Sequence, residues 1–322
     1  MNAPASFVYS AVNLETDYNM PQPTVAVIIP TRNRIDSLKR LLSQIVPYVS
    51  AHPECSVVVS DDGDALETRS ALTGDLSLVQ VLQGPRRGPA SNRNHGAAHS
   101  KGELLIFLDD DCVPEENLLG EYRAAAVEMP LCDVFEGRIS ILGSSSGFGD
   151  AAPANESGGY LWSCNFAIRR ATFEQIGGFD ERFPFATMED VDLRFRLAER
   201  AQISFLPQAR VFHGYEERFG WRVAQHHALS LLLYNHIHGP RRTKNTPMYF
   251  VRNGLGIMFA NARGALRSCD SRHRLQLLFV IWINIQLLLL TMLWKYRASL
   301  APWLYKPCCS KCEFILKSLR QG

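Results

Sequence analysis

Three consecutive aspartates, Asp109-Asp110-Asp111, follow directly on Glu103-Leu104-Leu105-Ile106-Phe107-Leu108. A buried strand that empties into a burst of carboxylate places hard oxygen ligands at the carboxyl edge of a sheet, where open α/β sheets take their ligands. Asp is also favoured in solvated turns. Three adjacent like charges repel one another, however, and a plain turn more often varies Asp with Asn, Ser or Gly. The triplet therefore reads as a seat for a divalent cation beneath a diphosphate, with the solvated turn as the alternative.

The chain around it alternates short apolar runs with helical stretches, the pattern of βα units and a mostly parallel sheet. Val25 to Ile29 is predicted as the first strand, stopped by Pro30. Residues 35 to 48 form a helix with Leu38, Leu41, Leu42 and Ile45 on one face. Strands are predicted at Ser56 to Ser60 and Leu76 to Leu82, the first closed by Asp61-Asp62-Gly63. A loop, Gly84-Pro85-Arg86-Arg87-Gly88-Pro89, then leads into a helix from Ala90 to His99. Beyond the triplet, a helix is expected from Pro114 to about Glu128 and a strand from Val134 to Leu142. These units divide the chain into an extension, 1–24, a first half, 25–142, a second half, 161–215, and a helical, aromatic and basic tail, 216–322. The Gly- and Ser-rich stretch 143–160 between the halves is expected to be a flexible loop, suited to a lid.

A net charge of +2 over 322 residues gives no reason to expect nucleic acid as a partner. Residues 1–24 carry Glu15 and Asp17 without a basic start, unlike a secretory signal, so a cytosolic catalytic part is expected. The segment 275–294 is long and apolar enough to cross a bilayer, although Asn284 and Gln286 interrupt it and both its flanks are basic. Spanning, lying in the interface and packing on the protein all stay open. The expectation is association with the cytoplasmic face of a membrane.

The eight cysteines are expected to be reduced thiols. Only Cys308-Cys309-x-x-Cys312 is clustered, and no second ligand pair follows at a matching distance, so lipidation or no role is expected there rather than zinc. His226-His227 and His236-x-His238 lack a helical ligand spacing with a nearby acid, and zinc is not expected at either.

The ordered set Val25-Ala-Val-Ile-Ile-Pro-Thr-Arg-Asn-Arg34, Val57-Val-Val-Ser-Asp-Asp-Gly63, Ser91-Asn-Arg-Asn-His-Gly96 and Phe107-Leu-Asp-Asp-Asp-Cys112 resembles the nucleotide-sugar domain of family 2 glycosyltransferases. Further on, Asn165-Phe-Ala-Ile-Arg-Arg-Ala-Thr-Phe173, Ile176-Gly-Gly-Phe-Asp-Glu-Arg-Phe183 and Glu189-Asp-Val-Asp-Leu193 resemble the acceptor half of the same GT-A fold, including the C-terminal region of galactosyltransferases. Tyr249-Phe-Val-Arg-Asn253 is similar to a stretch in the helical tails of bacterial members. The resemblance covers about residues 25 to 215 and implies an α/β, Rossmann-like GT-A fold with a helical, membrane-associated tail.

Residue by residue, the resemblance implies that Pro30, Arg32 and Asp62 meet the nucleotide base and that Arg93 reaches phosphate or base. Asp109 and Asp111 correspond to the metal-binding aspartates of the D-x-D motif, with Asp110 turned away or toward the sugar and His213 completing the shell around Mn²⁺ or Mg²⁺. Within Glu189-Asp190, Asp190 corresponds to the catalytic base, and Trp162 is set to stack on an acceptor sugar. Each has a structural alternative. Asp62 suits a helix cap, Arg93 a solvated helix face, His213 and Trp162 the core, and the acidic pair the positive end of a helix dipole. Asp192 lies well around that helix from Asp190 and suits a pair with Arg196 at i+4.

The activity so implied is inverting, metal-dependent transfer of a sugar from a nucleoside-diphosphate sugar to a hydroxyl of a glycan or lipid-linked acceptor, in cell-surface polysaccharide synthesis. A sugar-1-phosphate nucleotidyltransferase would share the sheet and the acidic site. It would want a Gly-rich, Lys-containing loop where Pro30-Thr31-Arg32-Asn33 stands. A non-catalytic carbohydrate-binding relative would need no base.

Overall fold

The structure is a computed structural model that describes residues 22–144, 150–217, 221–238 and 309–320. Its first half runs β1 (Val25–Thr31), α1 (Ile35–Ala51), β2 (Cys55–Asp61), α2 (Ala65–Ala71), β3 (Gln80–Gln83), α3 (Pro89–Ala98) and β4 (Leu104–Leu108). Then come β5 (Cys112–Pro114), α4 (Leu118–Glu128), β6 (Val134–Leu142), β7 (Asp150–Ala151), β8 (Asn165–Arg169), α5 (Arg170–Gln175) and α6 (Glu189–Leu197). The described chain closes with β9 (Ile203–Gly214), β10 (Glu216–Glu217), α7 (Trp221–His238) and α8 (Ser310–Arg320).

Eight strands form one sheet in the order β3-β2-β1-β4-β8-β6-β9-β5. The first four are parallel, β8 is antiparallel to both β4 and β6, and β5 is antiparallel to β9. The strands are apolar on both sides because both sides are covered. Along β1, Val25, Val27 and Ile29 join the core under α1 and α4, while Ala26 and Ile28 join the core under α3 and α6. On the second side Phe107 stacks on Phe166, ring centroids 4.9 Å apart, and meets the edge of Phe179 at 5.4 Å. Each such buried ring or branched side chain contributes about 1.5–3 kcal/mol of transfer free energy.

Several local expectations are corrected. Pro30 lies inside β1, which continues to Thr31; pairing with β4 has already ended at Ile28, and an extended φ suits proline. Leu76 and Leu78 sit in a 3-10 turn over Gly74–Leu78, so the third strand shortens to four residues. Pro114 ends the short strand β5 rather than opening a helix, and α4 begins only at Leu118.

The loop between the halves is more tightly held than its composition suggests. Buried Glu136 on β6 accepts the backbone N–H groups of Gly159, at 2.8 Å, Tyr160, at 2.6 Å, and Leu161, as well as the Asn155 amide at 2.8 Å. Residues 155–161 are thus pinned to the sheet, and β7 pairs with β10.

α7 and α8 form a third cluster with the segment before α6, built from Phe183, Phe185, Leu229, Leu233, Tyr234, Cys312 and Ile315. Thr187 and His227 are hydrogen-bonded at 2.8 Å, and Lys311 donates to the Pro184 carbonyl at 3.2 Å. The stretch 275–294 and the Tyr249–Asn253 motif lie outside the described residues. Among the described residues, no helix is long and apolar enough to cross a membrane.

Candidate active site

The three aspartates carry the chain from β4 in the middle of the sheet to β5 at its end, and each has a different partner. Asp110 is buried; Thr31 Oγ1 donates to it at 2.6 Å and Arg34 Nη1 at 3.2 Å. Burial pushes its carboxyl up to about 6, against the pull of the Thr31 hydroxyl. Asp111 accepts from Arg34 Nη1 at 2.5 Å, and the same guanidinium reaches Glu216 at 2.7 Å. Asp109 Oδ1 accepts from Arg93 Nη2 at 2.6 Å.

His213, near the end of β9, is carried to Asp111 because Cys112 and His213 are paired across β5 and β9. Its Nδ1 lies 2.7 Å from the Gly214 carbonyl and so donates to it, leaving Nε2 3.2 Å from Asp111 Oδ1. That Oδ1 is buried and accepts no aligned hydrogen bond; the contact is electrostatic. Burial lowers His213, but Asp111 outweighs it and raises the imidazole to about 9. Burial likewise opposes ionisation of Asp111, yet His213 and Arg34 hold it well below the usual carboxylate range.

Asp111, Cys112 and His213 are the ligand-type side chains brought within 4.8 Å of one another here. The Cys112 thiol donates to the Cys164 carbonyl, and the neighbouring Cys164 side chain together with burial raises it well above the usual thiol range. Asp111 and His213 are therefore the usable pair. Asp109 stands outside this group, turned toward Arg93.

Arg93 is fully buried on α3, neither on a solvated face nor aimed at open space. Nη1 pairs with Glu189 at 3.2 Å while Nη2 holds Asp109, so one guanidinium joins the acidic loop to the start of α6. Glu189 and Asp190 open α6 behind Met188, whose φ of 72° lies in the left-handed region. Only a locally over-determined backbone holds a non-glycine residue there, and such positions cluster at functional sites. Among the described residues, the other non-glycine residues with positive φ are Asn33, Arg86 and Leu161, all in loops. Burial, and then the neighbouring Asp190 charge, push Glu189 up to about 8; burial raises Asp190 as well. Asp190 is the more exposed of the two, at 8% against 2%, and its Oδ1 accepts from the Val191 N–H. Asp192 is fully buried, bonded to Arg196 at i+4 and to His238 on α7, each at 2.7 Å.

Asp62 is committed to the following loop, accepting from the backbone of Arg86 at 2.7 Å and Gly88 at 3.0 Å. The helix cap belongs instead to Asp64, which accepts from Leu66 and Glu67. Gly88 has φ 113°, and a Cβ there would lie 2.1 Å from the Pro184 carbonyl. Pro30 is buried beneath this edge, and Arg32 is exposed beside it. An open groove of about 330 Å³, lined by Asn33, Arg34, Asp36 and Glu67, adjoins the loop. A larger one of about 520 Å³ between α4 and β9 contains none of the site residues. Trp162 is half-buried; its ring is nearly parallel to that of exposed Tyr160, centroids 5.8 Å apart, and its Nε1 donates to the Ala154 carbonyl.

Three roles were not legible in sequence: Arg34 as the cation facing two aspartates, Thr31 as the donor to Asp110, and Glu136 as the loop anchor. Arg34 carried a signal, since it stands three residues beyond Thr31, within reach of the same sheet edge.

A half-parallel sheet with an acidic loop facing a buried acidic helix start has the form of the GT-A fold. GalNAc-T7, solved with UDP, GalNAc and Mn²⁺, shares the fold with a TM-score of 0.53 at 18% identity, over 68% of this chain and 48% of that one. Residues 26–140 match the domain of Glycosyl transferase family 2. Pre-mycofactocin glycosyltransferase of Mycobacterium tuberculosis is 33% identical over 207 residues, 59% of this chain and 42% of its own. Validoxylamine A glucosyltransferase of Streptomyces hygroscopicus is 28% identical over 218 residues, 54% of this chain and 51% of its own. The chain thus spans about half the length of the relatives it matches.

Proposed function

We propose that the protein transfers a sugar from a nucleoside-diphosphate sugar to a hydroxyl, with inversion at the anomeric carbon. The observation that carries this reading is the Arg93 bridge, which ties the acidic loop to the start of α6. The donor's diphosphate lies by Asp111 and His213, and the acceptor hydroxyl by Asp190. The hydroxyl oxygen attacks the anomeric carbon from the face opposite the diphosphate, Asp190 takes its proton, and the carbon–oxygen bond to the diphosphate breaks.

The donor set fits a divalent cation: an orphaned buried carboxylate oxygen beside an imidazole nitrogen, with the imidazole suiting Mn²⁺ at least as well as Mg²⁺. A cation held by Asp111 and His213 would supply charge neutralisation for the departing diphosphate, while Asp109 stays with Arg93. Asp62 shapes the base edge by fixing residues 84–88, Arg32 offers a cation above it, and Asp110 faces the donor only through its hydrogen-bonded network. Tyr160 and Trp162 present aromatic faces for a sugar.

The acceptor reading, a glycan or a lipid-linked sugar in cell-surface polysaccharide synthesis at the cytoplasmic face of a membrane, is supported by the apolar stretch 275–294. The test is a screen of UDP-, dTDP- and GDP-sugars with Mn²⁺, following release of the nucleoside diphosphate and the configuration of any product. Release of a sugar 1-phosphate, or no turnover of any donor, overturns the reading.

A further inference from the structure

The described chain holds a second group of ligand-type side chains, remote from the acidic loop in sequence and built on different elements. His226 on α7, Cys309 just before α8 and Cys312 in its first turn bring an imidazole nitrogen and two sulfurs within 4.8 Å of one another. The two sulfurs are 3.5 Å apart. A disulfide would hold them at about 2.05 Å. Two thiolates each ~2.3 Å from a tetrahedral zinc ion lie roughly 3.8 Å apart, so the observed separation matches ligation and not a bond.

We propose that His226, Cys309 and Cys312 bind a zinc ion that fastens α8 to α7. Soft thiolates with one imidazole are the donor set that selects zinc over magnesium or manganese. Cys309 and Cys312 flank the start of an 11-residue helix, with Lys311 between them. Binding releases the two thiol protons and leaves a fourth tetrahedral corner for water or another donor. The imidazole is already oriented, stacked on Phe185 with ring centroids 3.7 Å apart.

The consequence is mechanical. α8 packs on α7 through Cys312 and Ile315, and Lys311 holds the Pro184 carbonyl that closes over Gly88. A zinc ion at this corner locks together α7, α8 and the segment 183–188 that leads into Glu189 and Asp190.

The test uses the full chain purified without chelator. Metal analysis is expected to find about one tightly held zinc per chain. Replacement by Co²⁺ is expected to give the sulfur-to-cobalt charge-transfer band of thiolate ligation. Both are lost in Cys309→Ser and in Cys312→Ser, while Asp111→Asn retains them, which separates this centre from the acidic loop. His226→Asn keeps both sulfurs, and is expected to weaken zinc retention against a competing chelator at least tenfold without abolishing the band. Zinc content equal in the wild type and both cysteine variants overturns the proposal. So does a folded, reduced wild type that takes up no zinc, or a Cys309–Cys312 disulfide in protein purified under reducing conditions.

Discussion

Arg93 and Glu189, 96 residues apart in sequence, meet in a buried hydrogen bond at 3.2 Å, and the other end of the same guanidinium holds Asp109. Removing Arg93 leaves the Asp109 charge and the buried acidic pair at the start of α6 without their shared cation, at a cost of about 3–5 kcal/mol. Arg93→Met is expected to destabilise by that amount in denaturant titrations, and adding Glu189→Gln should return part of it. Strictly additive losses in the double variant would show that the two side chains are not coupled.

Asp111→Asn removes the charge that faces both Arg34 and His213. Calorimetry should find Mn²⁺-dependent binding of nucleoside diphosphate lost, and turnover nearly abolished. Asp110→Asn should leave that metal dependence in place, because Asp110 is bonded to Thr31 and turned into the protein. Equal Mn²⁺ dependence in wild type and Asp111→Asn would remove Asp111 from the metal site.

Asp190→Asn should lower the transfer rate at least ~10²-fold, the scale of general-base catalysis, while donor affinity is retained. A variant with an intact fold and lost donor binding would recast Asp190 as a donor ligand.

Glu189 makes stability depend on pH in a definite sense. Burial and the Asp190 charge raise its carboxyl from 4.5 to about 8 in the folded protein. Between those values the folded state keeps a proton that the unfolded chain has lost. Its contribution to stability is complete below about pH 4.5 and declines as the pH rises through about 8. Thermal unfolding of Glu189→Gln should therefore show a shallower decline than the wild type over that range; identical slopes would mean that Glu189 ionises normally.

Membrane attachment has a direct check. Full-length protein should sediment with membranes and resist release by high salt, and Leu288→Asp with Leu289→Asp should shift it to the soluble fraction. Full-length protein that is monodisperse without detergent would contradict attachment. Truncation before residue 275 is a poorer probe, since it also strips α8 from the apolar face of α7.

The parts of the fold legible in sequence are those set by local pattern. The face of α1, the apolar run before the triplet, the strand Val134–Leu142 and the Asp192–Arg196 pair all follow from periodicity or i+4 spacing. What local pattern does not carry is pairing between distant segments. Arg93 looked like a phosphate ligand because its two carboxylate partners lie on other elements. His226 lacked a neighbouring ligand in sequence, and the cysteine cluster lacked a second pair; folding brings the two together. Pro114 was assigned to a helix start because proline suits the first helical turn, whereas here the antiparallel partner β9 imposes a strand.

The passage of the aspartate triplet from β4 to β5 has a consequence for how the protein is born. β4 lies against β8, and among the described strands β5 pairs with β9, the last strand of the sheet to leave the ribosome. The segment that bears Asp111 has no strand partner until residues 203–214 have been made, and His213 arrives with that same strand. A nascent chain can complete the parallel strands around β1 early, but the acidic corner closes only when the second half docks. Cutting the chain in the stretch 145–149 should therefore yield fragments inert on their own that regain activity when co-expressed, with the corner reassembled across the break.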